Sequence, residues 1–345
     1  MANSWFRNVT EFTKRLISAQ GEDFTLLELG PQSGVAKKST KIEKDLDYFT
    51  VKVRSSRIVD IRRWTSTFYG SIQSRVYYLH ADRGLVEFQR VIVPDNMREL
   101  DPNNIDRLIQ VDKPVIGPVP YIGEISLELG LFSVKGSDLA APYIDLLTSL
   151  ADKSGVAAVS AALPYVEPLR KGADLLFGND RQSALEIGID QSWSDLRTGT
   201  WVAMRASRGS VQAGDLRIAP EDSAITLKDG KAFRKYPYIV FSIEASRRRD
   251  DWMTIPELKS AWDAVAKAAR KGETDEAEQL LRQFSLIARW SPDLVPEDAA
   301  RLSKKGEDQL RLVQPNPMVA RPPSEQFPAF ADLDLYNERE VITER

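Results

Sequence analysis

The sequence contains no cysteine and a single histidine, His80. The first absence excludes disulfide bonds, thiolate metal sites and cysteine nucleophiles, and the second excludes metal sites built from several imidazoles. A serine nucleophile would have to use His80 as its general base. His80 ends a predicted strand beside a turn, where solvent-facing polar residues are common. We therefore predict no catalytic, metal-binding or cofactor-binding residue and favour a non-enzymatic protein, without excluding an enzyme.

Motifs that bind phosphate groups are also missing. The loop that follows the predicted strand Phe24–Leu29 begins at Gly30, but it lacks the second glycine, followed at once by Lys and Ser or Thr, that a Walker motif needs. No G-x-G-x-x-G or G-x-S-x-G pattern follows a strand. Paired carboxylates suit acid–base catalysis, but 50 acidic residues give no way to select a pair. A carboxylate-dependent hydrolase is kept as a further alternative.

The chain has no excess of positive charge. Lys and Arg total 47 against 50 Asp and Glu, a formal net charge of -3. A nucleic-acid binder would need a local basic patch. The best one combines Arg54, Arg57, Arg62 and Arg63 with Trp64, and cations interleaved with an aromatic ring suit single-stranded nucleic acid. Neighbouring aspartates dilute this patch, so we favour a protein contact there and disfavour nucleic acid.

Long apolar runs are absent. Residues 1–20 lack the uninterrupted apolar core of a signal peptide. The longest stretch of low charge, Gly155–Val166, has about a dozen residues, whereas about 20 are needed to span a bilayer. The sequence predicts a cytoplasmic protein.

Residues 1–20 predict an amphipathic helix. Trp5, Val9, Phe12 and Leu16 recur at helical spacing, and Phe6 widens the apolar stripe. We favour a helix that packs on the core of its own chain. A partner-binding or membrane-surface helix remains open, because aromatic residues flanked by cations also suit that role.

The middle of the chain alternates with the period of a β-strand. The patterns predict a β-rich region over residues 21–136, an inserted helical hairpin over 137–180 and a second β-rich region over 181–246. The pattern leaves open whether the two β-rich regions complete one sandwich or form two domains. A chain of 345 residues would accommodate about two domains.

The last hundred residues predict a helical module and a tail. Thr254 and Glu257 suggest a capping box, Pro256 suits the first helical turn and Gly272 suits a helix end. A partner helix follows, and a shorter one begins near Pro296. The module covers residues 247–313, and residues 314–345 predict a Pro-rich, flexible tail. The fold class is α+β: an antiparallel β-sandwich-like body, an inserted helical hairpin and a C-terminal helical module.

These observations favour a non-catalytic protein that binds protein partners or assembles in a multi-protein system, and self-association is left open. The residues expected to form the interaction surface are Trp5, Phe6, Phe12, Arg57, Arg62, Arg63, Trp64, Arg247, Arg248, Arg249 and Trp252. The first alternative is a membrane-active effector that inserts residues 1–18 and 155–178.

Overall fold

The structure is a computed structural model that describes residues 24–30, 39–58, 68–80, 84–92, 108–135, 183–221, 223–313 and 327–336. Several predictions fall outside these ranges: the helix over residues 1–20, the helical hairpin over 137–180, and the patch residues Arg62, Arg63 and Trp64.

Eleven strands are described, and every pairing between them is antiparallel. They are β1 (Phe24–Leu29), β2 (Tyr48–Arg57), β3 (Phe68–His80), β4 (Gly84–Ile92), β5 (Leu108–Pro120), β6 (Ile125–Lys135), β7 (Ser183–Trp193), β8 (Gly199–Arg205), β9 (Leu216–Ile218), β10 (Ile225–Leu227) and β11 (Tyr238–Ser246). They form a five-stranded sheet in the order β1-β8-β11-β2-β5, a four-stranded sheet in the order β4-β3-β6-β7, and the pair β10-β9.

The two larger sheets share one hydrophobic core. In β2, the residues Phe49, Val51 and Val53 are buried at period two, as the sequence predicted. They belong to the same buried cluster as Val76 in β3 and Leu129 in β6 of the four-stranded sheet. Alternating side chains point to opposite faces of a strand, so each sheet contributes one apolar face to the space between them. The prediction of a β-sandwich-like body is confirmed.

Both β-rich regions of the sequence contribute to this body. β1 pairs with β8, and β2 pairs with β11, so strands from before and after residues 137–180 alternate in the five-stranded sheet. Described strands of both regions therefore share one sheet and one sandwich core. The Pro-containing strand β5 is an edge strand with repeated register shifts, because proline cannot donate a ladder hydrogen bond.

The five-stranded sheet is also covered on its second face. Val202, Met204 and Val240 point away from the sandwich core and pack with Leu216 and Ile225 of the β9–β10 pair. These residues have the opposite strand parity to those in the sandwich core. The sheet is therefore buried on both sides, which explains why β8 and the first part of β11 are almost continuously apolar.

Three α-helices form the C-terminal module: α1 (Pro256–Lys271), α2 (Thr274–Arg289) and α3 (Pro296–Val313). Pro256 opens α1 and Gly272 ends it at φ 78°, as predicted. Two details differ. The capping box does not form, because Thr254 lies in a 3-10 turn over Trp252–Thr254 and its hydroxyl donates to Asp251. The helix that begins at Pro296 was expected to be shorter than its neighbours, but with 18 residues it is the longest of the three.

The chain after the third helix is partly packed. The sequence predicted a flexible tail over residues 314–345, but residues 327–336 pack on the helical module. Phe327 stacks on Trp262 at 5.2 Å between ring centroids, and Phe330 meets Trp252 edge to face at 4.8 Å. The indole nitrogen of Trp262 donates to the carbonyl of Pro328 at 3.1 Å. Aromatic anchors spaced among prolines therefore close the core of the module.

Gly117 in β5 provides a test of the sheet edge. Its φ is +105°, and a Cβ at this position would lie 2.5 Å from the carbonyl oxygen of Phe49 and 2.7 Å from the Cα of Thr50. We expect Gly117→Ala to lower the free energy of unfolding by about 2–5 kcal/mol, from backbone strain plus overpacking.

The matched control is Gly209→Ala, at φ +84° with nothing within 4 Å of the added Cβ. This substitution introduces the backbone strain without a steric clash, and it should lower the free energy of unfolding by about 1 kcal/mol. Urea unfolding of both variants measures the difference. Equal losses would show that the contact with β2 imposes no constraint.

Candidate functional site

A buried carboxylate joins the sandwich to the helical module. Asp298, in the first turn of α3, is fully buried. Its Oδ2 accepts a hydrogen bond from the hydroxyl of Tyr48, the first residue of β2, at 2.6 Å, and one from the hydroxyl of Tyr336 at 2.7 Å. The Tyr48 hydroxyl also accepts the backbone N–H of Val295 at 3.1 Å. One carboxylate thus connects the sheet, the third helix and the C-terminal segment.

Arg249 reinforces the same joint. Its side chain is fully buried, and its guanidinium donates to the carbonyl of Pro118 in β5 at 2.9 Å and to the carbonyl of Asp293 at 2.7 Å. The carboxylates of Asp251 and Asp293 lie 3.0 and 3.4 Å from it and balance its charge. A buried charge is tolerated only with such partners. Its backbone N–H also donates to the hydroxyl of Tyr336 at 2.6 Å.

Burial sets the ionisation of the two tyrosines in the joint. Removal from water, together with the nearby Asp298 carboxylate, raises the pKa of Tyr48 far above its ordinary value. Burial likewise raises the pKa of Tyr336, although the hydrogen bond from the Arg249 backbone opposes the effect. Both hydroxyls therefore stay protonated and keep donating to Asp298 throughout the neutral range.

An open groove lies on the module between α2 and α3. It has a volume of about 1150 Å³. Leu281, Ala299 and Leu310 are buried and form its floor. The helices come close because α3 has no side chain at Gly306, where a Cβ would lie 2.6 Å from the Cδ1 of Leu281. The floor therefore belongs to the module core and is rigidly packed.

The mouth of the groove is apolar and exposed. Leu286 and Trp290, both in its lining, are each 56% exposed. Leu312, near the end of α3, is 75% exposed. Among the described residues, the large apolar side chains left exposed are these three and Leu46 on the sandwich. A concentration of exposed apolar side chains beside a concave surface is typical of a binding site.

The two ends of the groove differ in charge. At the end formed by the start of α2 and the end of α3 lie Glu278, Glu307 and Asp308, whose cationic neighbours Arg282 and Arg311 are 3.9–4.0 Å away. Pairs this long and exposed contribute little to stability. At the other end, the lining contains Arg289 and Trp290.

The structure places several predicted surface residues in the interior. Arg249 and Trp252 are 0% and 3% exposed and belong to the joint and to the module core. Arg57 is 4% exposed within β2. Arg249 has one local partner, Asp251, but the other contacts of Arg249 and Trp252 come from β5, from the α2–α3 connection and from residues 327–336. These three residues do not form an accessible surface.

Two predicted residues do lie at the surface, but beside the joint rather than at the groove. Arg247 pairs with Asp47 at 2.7 Å and with Glu43 on the sandwich. The guanidinium of Arg248 lies over the ring of Tyr336 at 5.3 Å from its centroid. Trp5, Phe6, Phe12, Arg62, Arg63 and Trp64 lie outside the described residues.

Described cations near the predicted basic patch are paired. Arg54 donates to Asp112 at 2.6 Å and also pairs with Glu244, and Lys52 lies 3.1 Å from Asp112. Partial burial would raise the pKa of Asp112, but the hydrogen bonds from Arg54 and Lys52 outweigh it and hold that pKa below its ordinary value. This part of the surface is an ion network on the sheet.

Sequence reasoning missed the groove. One signal was present: Leu286 and Trp290 lie outside the stripe formed by Ala277, Leu281 and Phe284, so the second helix has more apolar positions than its buried face needs. The gap between α2 and α3 depends on Gly306 and on the length of α3, and neither follows from a local pattern.

Within the described ranges, no group of three or more His, Asp or Glu side chains is arranged to hold a metal ion. No helix in the same part of the chain is both long and apolar enough to cross a membrane. A scan against protein-family models, a search of curated proteins and a search of solved structures each returned no match to this chain.

The buried hydrogen bonds of the joint predict that loss of a single hydroxyl group lowers the free energy of unfolding. Tyr48→Phe removes one hydroxyl and leaves both the Asp298 carboxylate and the Val295 N–H short of a partner in a buried site. We expect the free energy of unfolding to fall by about 1–3 kcal/mol. Tyr236→Phe, which alters a hydroxyl near the surface, should change it by less than about 0.5 kcal/mol. Denaturant titrations measure both, and equal effects would contradict the role of the joint.

The raised pKa of Tyr48 also predicts a loss of stability in alkali. An unfolded tyrosine ionises near pH 10, whereas Tyr48 stays protonated when folded, so its contribution is complete below pH 10 and is lost as the pH rises above it. The wild type should lose about 1.4 kcal/mol per pH unit more than Tyr48→Phe above pH 10. Unfolding free energies measured from pH 9 to 11 test this slope, and parallel curves would contradict it.

Proposed function

We propose that this chain is a non-catalytic interaction or assembly component that binds a protein through the α2–α3 groove. The observation that carries the proposal is the exposed pair Leu286 and Trp290 at the mouth of the groove. Tryptophan is enriched among the residues that dominate binding energy at protein interfaces. A groove between two helices also suits recognition of an amphipathic helix by its apolar face.

The buried joint supports this assignment. Arg249, Asp298 and Tyr48 fix the orientation of the module on the sandwich, because their hydrogen bonds span both parts of the molecule. A binding surface held in a fixed orientation loses less conformational entropy when a partner docks. In this proposal the sandwich is the support and the helical module is the binding element.

A protein partner is favoured over a membrane surface. The groove is concave, and its lining mixes the carboxylates of Glu278 and Glu307 with arginine side chains, so it does not present the cluster of cations that an anionic lipid surface attracts. The described cations around Arg54 are already paired with carboxylates, which disfavours a nucleic-acid partner. The membrane-active alternative, which invokes residues 1–18 and 155–178, remains an outcome of the test.

The decisive test compares full-length wild type with Leu286→Asp in quantitative capture from a lysate of the source organism. A charge at the mouth of the groove should lower the amount of bound partner at least tenfold, because a buried leucine contributes about 1.5–3 kcal/mol and an unpaired buried carboxylate adds a further cost. Leu46→Asp is the matched control, since Leu46 is an exposed leucine on the sandwich.

Three outcomes separate the alternatives. Loss of a partner with Leu286→Asp but not with Leu46→Asp supports the groove. Identical capture by all three proteins contradicts it. Flotation of the wild type with anionic liposomes, abolished by Leu286→Asp, would replace the protein partner by a membrane.

A further inference from the structure

We infer that the occupant of the groove is residues 3–18 of a second copy of this chain, which would link copies head to tail. This inference rests on the proposed function, because it assigns a partner to the same groove. It joins an open site in the structure to a segment whose sequence pattern predicts an amphipathic helix and which lies outside the described residues.

The groove and the segment match in length. The lining residues of α2 and of its C-cap run from Glu278 to Trp290, a distance of about 18 Å at 1.5 Å per residue. The apolar stripe of the segment runs from Trp5 to Leu16, about 17 Å on the same geometry. Val9 and Phe12 lie between these ends at helical spacing, so four apolar side chains would face the floor formed by Leu281, Ala299 and Leu310.

The charges of the two partners select one orientation. Lys14 and Arg15 lie at the C-terminal end of the segment, and Glu278, Glu307 and Asp308 lie at one end of the groove. Placing these groups together puts Trp5 near Trp290 at the other end. The segment then runs antiparallel to α2, and its cationic end lies beside the carboxylates of Glu307 and Asp308 near the C-terminal end of α3.

The distance that the connecting residues can span favours binding of the segment to the groove of a second copy over binding to the groove of its own chain. Phe24 begins β1 opposite Arg205, at the same end of the sheet as Arg57, whereas Val295 and the near end of the groove are held beside Tyr48 at the other end. Tyr48 and Arg57 are nine residues apart in one strand, about 30 Å, and β1 lies three strands away from β2. Leu16 is only eight residues from Phe24, which spans at most about 28 Å.

The assembly that follows is heterologous. Each copy would offer one segment and one groove, which are different surfaces. Such contacts close into rings or continue as open chains, unlike the self-complementary contact of a two-fold dimer. This distinction gives the inference a specific test.

The test is sedimentation velocity of the full chain over a range of concentrations. We expect the average mass of the wild type to rise above 38.8 kDa with concentration. Phe12→Asp, which disables the segment, and Leu286→Asp, which disables the groove, should each remain monomeric. An equimolar mixture of the two variants should form a 1:1 complex and nothing larger, because it retains one intact segment and one intact groove.

Matched controls and a charge reversal sharpen the assignment. Thr10→Asp lies off the apolar stripe and Leu46→Asp lies on the sandwich, and both should associate like the wild type. Lys14→Glu with Arg15→Glu should weaken association about tenfold. A second variant, Glu307→Lys with Asp308→Lys, reverses the charge of the groove. Mixing it with the Lys14→Glu, Arg15→Glu variant should restore association.

The outcomes distinguish this inference from the proposal beneath it. If the wild type stays monomeric at every concentration, a second copy is not the occupant of the groove. This holds also if the segment binds the groove of its own chain. If lysate capture still depends on Leu286 in that case, the groove remains a binding site for another protein. Association that Phe12→Asp leaves intact and Leu286→Asp abolishes overturns the inference in favour of a groove-to-groove dimer. Association that neither variant affects, with capture independent of Leu286, overturns both.

Discussion

The carboxylate of Asp298 imposes the main constraint on this molecule. It is fully removed from solvent and accepts hydrogen bonds from the hydroxyls of Tyr48 and Tyr336, while Arg301 lies 3.3 Å from its other oxygen. A buried carboxylate without such partners would cost several kcal/mol. The sandwich, the third helix and the C-terminal segment must therefore meet at this point together. A hydrophobic contact would permit sliding, whereas these hydrogen bonds define one arrangement.

The helical module has a tightly packed interior and leaves large apolar side chains exposed on one side. Trp262 and Phe327 stack inside it, and residues 327–336 close it from one side. On the side of α2 and α3, Leu286 and Trp290 remain in contact with water. The aromatic side chains of the interior pack against one another without contributions from Leu286 and Trp290. The groove can therefore change its occupancy without disturbing the packing that supports it.

Much of the fold followed from local patterns in the sequence. Alternation in β2 identified Phe49, Val51 and Val53 as buried, and Pro256 and Gly272 marked the ends of α1. Failures arose where distant residues decide the outcome. Arg249 follows two surface arginines in the sequence, yet its partners at Pro118 and Asp293 are 131 and 44 residues away. The segment 327–336 looked like a tail because its aromatic anchors pack on Trp252 and Trp262, which no periodic pattern within the segment reveals.

The pairing of β1 with β8 has a consequence for how the protein is made. Phe24 lies opposite Arg205, 181 residues later in the chain, so β1 emerges long before β8, its neighbour among the described strands. At about 5–20 residues per second, translation leaves β1 without its partner for about 10–40 s. During that time an apolar strand edge is open to chaperones and to other nascent chains. The sandwich therefore cannot fold domain by domain as it is synthesised, and its assembly awaits the second β-rich region.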